Sequence, residues 1–201
     1  MENKKGAENL DKGRRKFVLG LLGVGIVSVL ASVASLIRSL VPKKSEKSGY
    51  FPTVAAGDVL VFAAGDKKDQ PITPDNLALG DGVLAYPKKK GANQANLTIV
   101  MHLEPEMLKP PTKIDWTVNG LVAYSALCTH LSCTVSWDKK KTIQGSEIEC
   151  FCHNSIFDPR RGAIVLAGPA PVPLPQLPIA LNDQGVLIAK GSFEGPVGPQ
   201  M

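Results

Sequence analysis

The chain has 201 residues, 44% of them hydrophobic, and a formal charge of +5, enough for one well-buried domain together with an anchor and a linker. The basic surplus is local: residues 1–49 carry ten Lys/Arg against four Asp/Glu, and the remainder thirteen against fourteen. A near-neutral body offers no electrostatic footprint for a phosphate backbone and argues against nucleic-acid binding.

Residues 1–16 are polar and basic and end in Gly13-Arg14-Arg15-Lys16. Residues 17–37 then run without a charge until Arg38. As a helix at ~1.5 Å per residue, this run reaches roughly 31 Å and matches a hydrocarbon core of ~30 Å. Cleaved signal peptides carry apolar cores of only ~7–15 residues, so an uncleaved signal-anchor is predicted, although Ser32-Val33-Ala34 would suit a signal peptidase. The six Lys/Arg in the first sixteen residues favour a cytoplasmic N-terminus, against the opposing pull of Lys43, Lys44 and Lys47. Arg14-Arg15 followed by Lys16-Phe17-Val18-Leu19 resembles a twin-arginine export signal, with Gly13 where Ser or Thr is common. Export by that route suits a cargo that folds, or loads a cofactor, before crossing. Residues 38–52 are polar, charged and punctuated by Pro42 and Pro52, and are predicted to be a linker or hinge.

Beyond the linker, short apolar runs alternate with turn residues at 59–62, 83–86, 97–103, 121–127, 135–137, 148–151, 156–157, 163–166, 177–181 and 186–189. Each is strand-length and none keeps a helical period, so residues 53–201 are predicted to form an all-β antiparallel domain. Lys88–Lys90 and Lys139–Lys141 are expected to be solvated loop tips. His102 is expected to be structural, and Trp116 and Trp137 to be core or edge aromatics.

All four cysteines and two of the three histidines fall in two short stretches, Cys128-Thr129-His130-Leu131-Ser132-Cys133 and Cys150-Phe151-Cys152-His153-Asn154-Ser155. Thiolate and imidazole are the ligands that transition metals select. Structural zinc takes four ligands, usually in pairs ~2–4 residues apart. The orders Cys-x-His-x-x-Cys and Cys-x-Cys-His fit no common zinc knuckle and leave two ligands over. An exported domain supplies a use for the surplus, since paired thiols persist there as a disulfide.

The two stretches resemble the cluster-binding loops of Rieske iron–sulfur proteins, whose pattern is Cys-Thr-His-Leu-Gly-Cys and Cys-Pro-Cys-His-Gly-Ser-x-Tyr. The resemblance implies that Cys128 and Cys150 hold one iron of a [2Fe–2S] cluster, that His130 and His153 hold the other, and that Cys133 and Cys152 form a disulfide. It implies a hydroxyl at Ser155 facing the cluster, and a β-sandwich head with a small cluster-binding subdomain at about 124–175. Residues 168–171 (Gly-Pro-Ala-Pro) resemble the proline loop that covers the cluster in Rieske subunits of cytochrome bc complexes. Neutral imidazoles in place of thiolates raise such centres from about −400 mV to roughly −150 to +300 mV. Ser132, Phe151 and Asn154 replace Gly, Pro and Gly; Asn tolerates φ > 0, so position 154 can still turn. Phe157 stands where high-potential members carry a Tyr whose hydroxyl donates to a ligand sulfur, which predicts a lowered potential.

The family likeness therefore implies the Rieske subunit of a bacterial quinol:cytochrome c oxidoreductase. Such a subunit accepts an electron from quinol, with menaquinol favoured by a low potential, and a proton on His153. It passes the electron to a c-type cytochrome and is partnered by a cytochrome b subunit. The alternative is an electron-transfer subunit of another extracytoplasmic oxidoreductase, such as a molybdenum oxidase, without quinol chemistry.

Overall fold

The computed structural model describes Lys16, Phe17, Leu19, Ser32, Val33 and residues 50–91, 93–138 and 147–200. The expected membrane segment at 17–37 and the linker at 38–52 fall mostly outside the described residues, as do Lys139–Lys141. Among the described residues no helix is long and apolar enough to cross a membrane. Residues 46–201 form a compact unit of their own.

Ten strands are found among the described residues of that unit: β1 (Leu60–Phe62), β2 (Gly82–Pro87), β3 (Thr98–His102), β4 (Leu121–Ser125), β5 (Ser136–Asp138), β6 (Glu147–Cys150), β7 (Ser155–Asp158), β8 (Ile164–Ala167), β9 (Ile179–Leu181) and β10 (Leu187–Ala189). Each falls on one of the ten predicted apolar runs. Three-residue 3-10 turns at Pro74–Asn76, Gln94–Asn96, Pro105–Met107 and Ile114–Trp116 were not predicted, because a single turn leaves no periodicity to read.

The strands form sheets in the orders β1-β2-β3-β4 and β5-β6-β7-β8 and a β9-β10 pair, with every pairing antiparallel. Alternation along β4 explains how they stack. Leu121 and Ala123 join Leu60, Leu177, Ile179 and Leu187 in one core. Val122 and Tyr124 point the other way and join Ile148, Phe157, Cys128 and Cys150 in a second. Side chains change face with every residue of a strand, so one strand buried on both sides serves two cores. The β1–β4 sheet thus has the β9–β10 pair on one face and the β5–β8 sheet on the other.

Trp137 of β5 fixes the second contact. Its Nε1 donates to Gly80 O at 3.1 Å, and its ring lies so close to β2 that a Cβ at Gly82 would stand 2.4 Å from Cγ. His102 is structural as expected, with Nδ1 2.7 Å from Leu77 O. Tyr124, wholly buried, donates its hydroxyl to Pro159 O at 3.0 Å, and burial pushes its phenol pKa up.

Lys90 differs from its expected role as a solvated tip. Its Nζ lies 2.8 Å from Asp58 Oδ2 and also donates to Thr53 O, tying the β2–β3 connection to the segment before β1. Burial works against the Asp58 charge, but the Lys90 hydrogen bond, the Ala55 N–H at 2.9 Å and the charges of Lys90 and Lys89 outweigh it. Its pKa therefore lies below the ordinary value of 3.8. A depressed carboxyl contributes stability that is present above the unfolded pKa and lost as pH falls through the folded one. Asp58→Ala is expected to cost about 1–2 kcal/mol in urea unfolding at neutral pH, and the gap from wild type should close as the pH drops below 3.8.

Candidate metal centre

The first loop leaves β4 through Ala126 and Leu127 and turns back on itself. Cys128 N–H donates to Cys133 O at 2.9 Å and Ser132 N–H to Cys128 O at 3.0 Å. Ser132 closes the turn with φ 64°, a conformation that glycine adopts without cost and serine does not. The second loop is the β6–β7 hairpin. Cys150 pairs with Ser155, and Asn154 turns the chain at φ 56°, as its replacement of glycine predicts.

Cys133 and Cys152 are bonded, with an S–S distance of 2.10 Å and Cα atoms 6.4 Å apart. That bond joins the two loops. Cys128 and Cys150 are free thiols, each 1% exposed. The sulfurs of Cys133, Cys150 and Cys152 gather within 4.8 Å, but two of them are spent on the disulfide, so this trio is not a set of three thiolates. Cys128 lies outside that trio but is near enough to Cys150 for the two thiols to interact. Burial and the neighbouring Cys150 push the Cys128 thiol up to about 11, against the His130 N–H and the Ser155 hydroxyl, which donate to its sulfur. A thiol raised in this way is ionised more readily beside a positive charge, which a metal centre supplies, and Cys128 is therefore suited to bind one.

Half-buried His130 and exposed His153 stand edge to face with ring centroids 4.7 Å apart. His130 Nδ1 is buried and has no hydrogen-bond partner, which suits a nitrogen that binds a metal ion. Two buried thiols, two adjacent imidazoles and an orphaned ring nitrogen fit a cluster held by sulfur on its inner side and by nitrogen on its outer side.

Residues 168–171 lie against the second loop, and Val172 next to them meets the first. Gly168, at φ 87°, comes so close to the second that a Cβ would meet Ser155 Cα at 2.5 Å and Asn154 O at 2.6 Å. Ala170 N–H donates to Ser155 Oγ at 3.1 Å, and Thr129 Oγ1 donates to Val172 O at 2.7 Å. Ser155 thus accepts from the proline segment while its own proton reaches the Cys128 sulfur. Phe157 is fully buried in the core that contains Cys128 and Cys150 and brings no hydroxyl to it. The Ala170 amide belongs to the segment singled out in the sequence, whereas two contributors carried no signal there: the Val172 carbonyl and the Gln200 amide, which donates to Thr129 O at 3.1 Å. All act through backbone atoms.

Comparison with known proteins points the same way. The family described as Rieske [2Fe-2S] domain matches residues 104–178. A protein of Streptomyces lividans named cytochrome bc1 complex Rieske iron-sulfur subunit is 37% identical over 65% of this chain and 80% of its own length. Its namesake in Streptomyces coelicolor is 33% identical over 98% of this chain, which spans 56% of that relative. A Haloferax mediterranei protein named putative respiratory nitrate reductase subunit Rieske is 34% identical over 92% of this chain and 80% of its own length.

Gly168→Ala is expected to lower stability by about 1–3 kcal/mol through overpacking against the second loop. Iron bound per chain after purification should fall with it; an unchanged melting curve and full iron content would show that the close approach is not needed.

Proposed function

The chain belongs to the Rieske iron–sulfur proteins, and from that premise we propose that it is the Rieske subunit of a bacterial quinol:cytochrome c oxidoreductase. As a Rieske protein it is an electron-transfer subunit, and its cofactor is a [2Fe–2S] cluster. When bound, the cluster supplies a one-electron acceptor whose potential is raised by its imidazole ligands.

In this reading Cys128 and Cys150 would hold one iron as thiolates, and His130 and His153 would hold the other. Ser155 keeps its hydroxyl proton directed at the cluster side. The observation that carries the proposal is the gradient of exposure across the site, from buried thiols to the solvent-facing His153 imidazole. His153 is the group a quinol hydroxyl can reach. Its imidazole would accept the hydrogen bond and then the proton, while the bound cluster would supply the acceptor for the electron. The disulfide and the proline segment shield the sulfur side from water and keep the protonation chemistry at the imidazoles.

The remainder follows the sequence. Residues 1–16 would stay in the cytoplasm, residues 17–37 would anchor the chain in the cell membrane, and residues 38–52 would be the hinge. The head at 53–201, with its cluster-binding part at about 124–175, would then lie on the extracytoplasmic side. There it would exchange electrons between quinol at a cytochrome b subunit and a c-type cytochrome. The namesakes in Streptomyces support this reading. The Haloferax relative favours a second one, a Rieske electron-transfer subunit of a different extracytoplasmic oxidoreductase.

The two readings differ in what accompanies the chain. Isolated from its membrane in mild detergent, it should bring down b-type haem, detectable as a pyridine haemochrome; a complex with molybdenum and no b haem would favour the second reading. Phe157→Tyr should raise the reduction potential. A hydrogen bond that favours the reduced state by about 1.4 kcal/mol corresponds to about 59 mV for one electron. An unchanged or lower potential would remove Phe157 as the cause of a low one. Replacing residues 43–48 with prolines should leave the cluster spectrum intact and slow quinol oxidation severalfold, whereas undiminished turnover would reduce the hinge to a spacer.

A further inference from the structure

Residues 196–200 cross behind the first cluster loop and touch it at two points. Val197, fully buried, exchanges two backbone hydrogen bonds with Tyr50, at 2.7 and 2.9 Å. Gly198 follows at φ 78°, with Ser132 Oγ only 2.7 Å and the Tyr50 ring 3.0 Å from where its Cβ would stand. Gln200 N–H donates to Thr129 O at 3.1 Å, and the Gln200 side chain closes the segment by donating to Pro196 O at 2.8 Å.

The Thr129 carbonyl and the His130 N–H belong to one peptide group, which is planar. Its N–H donates to the Cys128 sulfur, and its carbonyl accepts from Gln200 on the opposite side. Hydrogen bonds in series polarise one another, and hydrogen bonds to cluster sulfurs set the potential of iron–sulfur centres. Ser132 adds a second dependence. It occupies a position where the Rieske pattern has glycine, and its buried hydroxyl has no hydrogen-bond partner. Its Oγ lies 2.7 Å from where a Cβ at residue 198 would stand, so the two positions are packed against each other.

We propose that the 196–200 strap is a positioning element of the cluster site. It holds the Thr129–His130 peptide so that the His130 N–H stays on the Cys128 sulfur, and Gly198 and Ser132 are a matched pair that sets its distance from the loop. The proposal rests on the reading of Cys128 and His130 as cluster ligands. The thiolate carries more negative charge in the reduced state, so the N–H bond favours reduction, and loosening the strap lowers the potential.

The test uses the full chain, loaded with its cluster in detergent. Gln200→Pro removes the donor N–H, while Gln200→Ala keeps it. Gln200→Pro should shift the reduction potential downward, alter the EPR g-values and speed amide exchange at residues 129–133 about tenfold, the effect of losing one hydrogen bond of ~1.4 kcal/mol. Gln200→Ala, which loses only the side-chain bond to Pro196 O, should move all three in the same direction and by less than Gln200→Pro. Gly198→Ala should disturb the same readouts less in a Ser132→Gly background than in wild type, because the clash with Oγ is gone while the φ penalty is common to both. Wild-type potential and loop exchange in Gln200→Pro overturn the proposal. Cluster loss in that variant with β1–β4 amides still protected supports it, and loss of protection throughout overturns it by making the strap merely part of the fold. A wild-type chain without a Rieske spectrum would instead overturn the ligand reading.

Discussion

Two thiols buried side by side, Cys128 and Cys150, are the constraint on which the rest of this head depends. Cys128 follows β4 and Cys150 ends β6, and burial beside Cys150 holds the Cys128 thiol in its protonated form. Bringing them together has to be secured covalently and by packing, and a positive centre has to be supplied. The Cys133–Cys152 bond secures the outer ends of the loops, one residue chain joined to the other across a separation of 19. The proline segment secures the inner side through the Ala170 amide and the Val172 carbonyl. The histidines lie further out, so the site is buried at the Cys128 and Cys150 sulfurs and accessible at His153.

The layers beneath serve the same end. β4 is buried on both faces and delivers Cys128 directly from its end, while β6 ends on Cys150. Both thiols therefore start from strands whose positions are fixed by cores: Cys150 is the last residue of β6, and only Ala126 and Leu127 separate Cys128 from β4. Trp137 locks the second sheet onto the first, so the two loops hang from one rigid frame. Sites built on regular elements hold their geometry better than sites built on long loops.

Strand positions were legible because half-buried and buried strands leave alternating or continuous apolar runs, and all ten runs matched. The site residues were legible because cysteine and histidine at these spacings have few other uses, and Asn154 announced its left-handed turn by its chemistry. The strap over residues 196–200 left no trace, since its contact with Thr129 uses backbone atoms that every residue possesses. Ser132 looked like a simple loss of glycine until Gly198 was seen opposite it. Lys90 looked like one of three solvated charges, and only the fold could place Asp58 beside it.

The central claim is that sulfur holds one iron and nitrogen the other, and pulsed EPR of the reduced, full-length protein reads this directly. With ¹⁵N-histidine incorporated, the account predicts strong couplings from two histidine nitrogens, and loss of one on substituting either His130 or His153. A reduced spectrum without histidine nitrogen coupling, or a purified protein that holds zinc in place of iron, would contradict it.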